Sequence, residues 1–88
     1  MTWKIEYLES VRKSVKNLDV QTRKRIRHYL EDRVAALDDP RQLGKPLKGK
    51  LSGIWRYRIG DFRVLAKLQN EKLIVLVLDI AHRKDVYR

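Results

Sequence analysis

Arg56, Arg58 and Arg63 flank the pair Gly60-Asp61, and arginines at this spacing can gather around a phosphate. Glycine at the first central position suits a two-residue type II′ turn, which would pair Ile59 with Phe62, Arg58 with Arg63 and Tyr57 with Val64. Side chains alternate across a strand, so the three guanidiniums share one face. Trp55, Tyr57, Ile59, Phe62 and Val64 share the other, packed on helices. Like charges directly opposite each other destabilise a sheet. No acidic residue is patterned beside these arginines, so the missing counter-charge is most simply a ligand phosphate, which fits the planar guanidinium fork. The plainer alternative is a solvated face carrying chance arginines.

Further along lies Asp79-Ile80-Ala81-His82-Arg83-Lys84-Asp85-Val86-Tyr87-Arg88. A second two-residue turn at Asn70-Glu71 would set Leu78 level with Arg63, so that His82, Arg83 and Tyr87 converge on the three arginines. The set supplies cations for phosphate, an aromatic ring for an unpaired base, and two proton-transfer groups in His82 and Tyr87. RNA cleavage can proceed on this equipment, because the 2′-hydroxyl attacks the adjacent phosphate while arginines stabilise the pentacovalent anion. By analogy with oxyanion-hole donors, each well-aimed charge supplies on the order of 10² to 10³ in rate. Each group also has a bland reading: Tyr87 as an exposed ring, His82 as a strand-end histidine bonded to backbone. His28 and His82 lie far apart, with no carboxylate cluster or phosphate-cradling glycine motif, so no metal centre is evident.

The elements that position these residues follow from hydrophobic spacing. Trp3 to Tyr7 alternates as a half-buried strand; Leu8, Val11, Val15 and Leu18 recur at helical spacing. Asp19 is a candidate N-cap for a second helix with the stripe Ile26, Tyr29, Leu30, Val34 and Leu37, ending before Pro40. Arg41 to Gly53 reads as an irregular basic loop whose Lys45, Lys48 and Lys50 are candidate RNA contacts. The run from Leu73 to Leu78 is rich in β-branched residues and reads as a central strand buried on both faces. The expected fold is α+β, in the order β-α-α-β-β-β, with a small antiparallel-rich four-stranded sheet against two N-terminal helices. A chain of 88 residues is expected to form a single domain over residues 1–88.

The formal net charge is +10, with +3 on residues 1–38 and +7 on residues 39–88, so the second half is expected to meet a polyanion. With no cysteine, disulfides, thiolate metal sites and thiol catalysis are excluded. That absence, with no signal-like start and no apolar run near 20 residues, points to a cytoplasmic protein without membrane contact.

Gly44-Lys45-Pro46-Leu47-Lys48-Gly49, Trp55-Arg56-Tyr57-Arg58, Asp61-Phe62-Arg63-Val64 and His82-Arg83-Lys84-Asp85-Val86-Tyr87 together resemble the RelE family of bacterial toxins, within the RelE/ParE superfamily. The likeness spans essentially the whole chain, and the last ten residues are its most specific part. It implies a toxin of a type II toxin–antitoxin system: a ribosome-dependent mRNA endoribonuclease. Such a protein would enter the 30S A site beside 16S rRNA, use no cofactor, and be neutralised by a cognate RelB-type antitoxin. Carried over by position, Arg63 and Arg83 match phosphate-binding and transition-state arginines, and Tyr87 a functional tyrosine. Lys84 and Arg88 add to the expected RNA contacts. Arg56 and Arg58 stand where the best-known member has lysines, and arginine, with a pKa above about 12, cannot serve comfortably as general base. The expected catalytic set is Arg56, Arg58, Arg63, Arg83, Tyr87 and His82. The rivals are a ParE-like inhibitor of DNA gyrase without nuclease activity, and a non-catalytic RNA-binding domain.

Overall fold

The computed structural model describes residues 2–86. Strand β1 (Lys4–Tyr7) leads into helices α1 (Glu9–Val15) and α2 (Val20–His28). The Asp19 carboxylate accepts the Thr22 N–H at 3.3 Å, the N-cap bond expected from the sequence, which fixes where α2 starts. Beyond His28 the chain keeps winding, with wider π turns over Tyr29–Val34 in which the Ala35 N–H reaches the Leu30 carbonyl at 2.9 Å. Strands β2 (Lys45–Pro46), β3 (Ile54–Ile59), β4 (Phe62–Gln69) and β5 (Ile74–His82) follow, and a short helix α3 (Arg83–Val86) closes the described chain.

The sheet runs β1-β5-β4-β3-β2, with β1 parallel to β5 and every other neighbour antiparallel. It therefore has five strands where the sequence suggests four. The extra one, β2, lies in the segment expected to be irregular, and two residues are too few to show any period. The β3–β4 register is the expected one. The β4–β5 connection is not a two-residue turn: Gln69 pairs with Ile74, and Leu73 takes a left-handed φ of 55° to end a four-residue loop. Strand β5 is central, yet only Val75 and Val77 are fully buried while Ile74, Leu76 and Leu78 are half-buried. The helices thus cover one face of this strand more completely than the other.

The helices pack on that face through Val11, Ile26, Leu30 and Val34 against Tyr57, Val64, Val75 and Val77. Tyr57 is fully buried, and its hydroxyl donates to the Pro40 carbonyl at 2.8 Å. A Cβ on Gly44 would come within 3.0 Å of the Tyr57 ring, so glycine lets the chain pass close before β2. Tyr57→Phe should leave the Pro40 carbonyl unpaired and lower unfolding free energy by about 1–2 kcal/mol in urea titrations. Burial, the largest influence, pushes the Tyr57 phenol up from 10.0 to about 12. Between these values the unfolded chain releases the proton and the folded chain keeps it, so stability is full below pH 10 and falls as pH rises towards 12. Tyr57→Phe should make that alkaline decline shallower.

Candidate functional site

The β3–β4 turn has Gly60 at φ 58° and Asp61 outside the left-handed region, as a type II′ turn requires and a type I′ turn does not. The alternation then holds. Tyr57, Ile59 and Val64 point into the core, so Arg56, Arg58 and Arg63 take the other face, with Arg58 directly opposite Arg63. Strand β2 enlarges this face, because Lys45 pairs across from Arg56.

Strand β5 carries an irregularity that sequence reasoning missed. Opposite β4, Ala66 pairs with Val77 but Leu65 with Asp79, which leaves Leu78 as an extra, bulged residue. A regular ladder would have set Asp79 against the buried Val64. The bulge instead pairs Val64 with Ile80 and brings Asp79 to the arginine face, 3.9 Å from Arg63. A second carboxylate, Asp61, lies 3.9 Å from Arg83, whose backbone N–H donates to the Asp61 carbonyl at 2.8 Å. The expectation that no acid accompanies the arginines is therefore corrected. Asp61 sits in the turn itself, and Asp79 arrives only because of the bulge. Neither matches the full charge of the cluster, and the Arg63 Nε is buried without a hydrogen-bond partner.

Arg56, Arg58, Gly60, Asp61, Phe62, Arg63 and Arg83 enclose a cavity of about 270 Å³. Four of the sequence-nominated residues thus meet in one place. His82 does not join them there: it pairs opposite Phe62 and packs edge-on against that ring at 5.0 Å. Its Nδ1 accepts the Lys84 N–H at 3.1 Å, so the neutral ring carries its proton on Nε2. This is the backbone-bonded arrangement weighed above. Lys48, Lys50 and Lys84 are exposed and do not line the cavity. Tyr87 and Arg88 lie outside the described residues. Arg25 of α2, which the sequence did not single out, lies against Gly60. No local pattern announces it, because the contact depends on how α2 crosses the hairpin.

A second, more apolar cavity of about 170 Å³ lies between the helices and the sheet, lined by Tyr7, Val15, Leu18, Ile26 and Ile80 with Arg12, Arg23 and Arg27. The Tyr7 hydroxyl donates to the Glu31 carboxylate at 3.0 Å; burial first, then the Glu31 charge, raises its pKa.

Fold and site together define a small basic α+β protein with an arginine-lined cavity at the tip of a hairpin. The family model described as the ParE toxin of type II toxin–antitoxin systems, parDE, matches residues 5–87, and the chain belongs to that family. The chain is similar to two toxins of Mycobacterium tuberculosis (strain ATCC 25618 / H37Rv). It is 38% identical to Toxin RelG over 50 residues, which is 57% of this chain and 58% of that protein. It is 38% identical to Toxin RelE over 52 residues, 59% of this chain and 54% of that protein. The chain thus spans a little over half the length of these curated relatives. Among solved structures, a chain of the toxin–antitoxin complex RelBE2 from Mycobacterium tuberculosis superimposes with a TM-score of 0.85 at 22% identity, covering 94% of this chain and 93% of that one. The isolated E. coli RelE toxin gives 0.70 at 15% identity, covering 91% and 83%. At such identities the likeness establishes the fold, and it agrees with the RelE/ParE membership expected from the motifs.

The Arg63–Asp79 pair is partly exposed and should contribute no more than about 1 kcal/mol. Asp79→Asn should leave urea stability nearly unchanged and shift elution from heparin to higher salt. A loss above about 2 kcal/mol would instead mark Asp79 as a structural residue.

Proposed function

We infer that this chain is the toxin of a type II toxin–antitoxin pair and cuts mRNA in the ribosomal 30S A site, beside 16S rRNA. The observation that carries this reading is the convergence of Arg56, Arg58, Arg63 and Arg83 on one cavity. A scissile phosphate seated there meets several guanidiniums, and charge gathering on its oxygens in the pentacovalent state strengthens those contacts. In the reaction the 2′-hydroxyl gives up its proton to solvent as its oxygen bonds to phosphorus, the bond to the 5′-oxygen breaks, and that oxygen takes up a proton in turn, leaving a 2′,3′-cyclic phosphate and a 5′-hydroxyl. Arg56 and Arg58 act electrostatically, since arginine keeps its proton. Tyr87 is assigned the proton transfer and base stacking on its match to the family's functional tyrosine. His82, turned onto Phe62, is left as a positioning residue for the start of α3. No helix among the described residues is long and apolar enough to cross a membrane, which fits a cytoplasmic site of action.

A RelB-type antitoxin is the proposed partner, since similar solved structures are described as RelE–RelB complexes from Pyrococcus horikoshii OT3 and E. coli. The apolar cavity ringed by Arg12, Arg23 and Arg27 suits an antitoxin segment carrying apolar and acidic residues. Co-expression with the neighbouring gene should yield a stable complex on purification. Recovery of the chain alone would count against the pairing.

Brief induction followed by primer extension on a translated reporter should show cuts at A-site codons, and Arg83→Ala should reduce them by about 10² or more. The matching family model, described for ParE, favours a second reading as an inhibitor of DNA gyrase. Intact reporter mRNA together with a DNA-damage response would support that reading and overturn the nuclease.

A further inference from the structure

Helix α2 carries Arg23, Lys24, Arg25 and Arg27 without an acidic residue between Val20 and His28. Of these, Arg25 lies against the hairpin tip. A Cβ built on Gly60 would lie 2.8 Å from its Nη1, 2.9 Å from its Cζ and 3.1 Å from its Nη2. Three nearly equal distances mean that the guanidinium lies flat over Gly60. Any side chain at position 60 would displace it, and the position already has φ 58°.

Gly60 also lines the arginine cavity, so Arg25, which does not itself line it, lies beside the cavity with Gly60 between them. Its fellow cations are differently engaged. Arg27 lies 3.8 Å from Glu31, Arg63 lies 3.9 Å from Asp79 and Arg83 lies 3.9 Å from Asp61. Arg25 is exposed, and no carboxylate among the described residues lies within 4.0 Å of it. A helix-dipole role does not account for the placement, because the chain continues winding through Val34 and position 25 is not at a free C-terminus. With one face of its plane on the glycine backbone, the guanidinium keeps its N–H edges for a ligand.

We propose that Arg25 contacts a phosphate of single-stranded RNA next to the one held by Arg58 and Arg63, so that the strand crosses the hairpin tip onto α2. The inference rests on the nuclease reading and extends its substrate path. The position of the arginine cavity just across Gly60 favours RNA phosphate over the carboxylates of a protein partner.

The test is equilibrium binding of a short 2′-O-methyl oligouridine, which cannot be cleaved, over a range of salt concentrations. One lost phosphate contact on a single strand lowers the slope of log K against log salt by about 0.7. Arg25→Gln should show that drop and about fivefold weaker binding at moderate salt, as should Arg58→Gln. Lys24→Gln, an exposed neighbour, should keep the wild-type slope. If Arg58→Gln lowers the slope and Arg25→Gln does not, Arg25 is no part of the path while the RNA reading stands. An equal drop in Lys24→Gln would also overturn the proposal, since the effect would then be diffuse charge. A wild-type slope near zero would remove the RNA reading itself. Weakened antitoxin binding by Arg25→Gln with an unchanged RNA slope would assign the residue to a protein contact instead.

Discussion

The burial of Tyr57 is the constraint on which the rest depends. Its ring fills the core between sheet and helices, and its hydroxyl is held by the Pro40 carbonyl. A buried phenol without that acceptor would leave a polar group unpaired in an apolar medium. With both conditions met, position 57 has a single orientation, and strand alternation forces positions 56 and 58 outward. The same bond tethers the segment before β2, which carries Lys45 to the edge of the arginine face. Core packing and a cationic surface are in this way two sides of one ring's placement.

The cationic face is under tension from its own charge. Arg58 and Arg63 are directly opposed, Lys45 faces Arg56 across β2 and β3, and Arg83 joins from α3. Two aspartates sit nearby at distances too long for tight pairs. They moderate repulsion without saturating the guanidiniums, which keeps the fold intact while leaving donors available. Stability and anion affinity are set against each other here, and the carboxylate distances fix the balance.

Much of this was legible in the sequence. The hairpin register followed from Gly60-Asp61 and the alternation around it, and the helix start followed from Asp19. Membership in the family followed from short motifs spread along the chain. What escaped depended on long-range geometry or on very short elements. Strand β2 is two residues long and exists only by pairing with β3. The turn after Gln69 is longer because Leu73 takes a left-handed φ that no glycine signals. Arg25 reaches Gly60 only through helix packing, and His82 was placed among the arginines by a two-residue turn after Gln69 and an unbroken ladder, neither of which forms.

That irregularity gives β5 two opposite parities. Up to the bulge the odd-numbered residues Val75 and Val77 point into the core; past it the even-numbered Ile80 takes the inward place, and Asp79 turns out. The strand is therefore two short strands of opposite phase joined at Leu78. Point substitutions act on one face at a time, whereas gaining or losing one residue would exchange inside for outside along everything that follows. Strand length, more than the identity of any one residue in it, decides whether the segment entering α3 meets solvent or core.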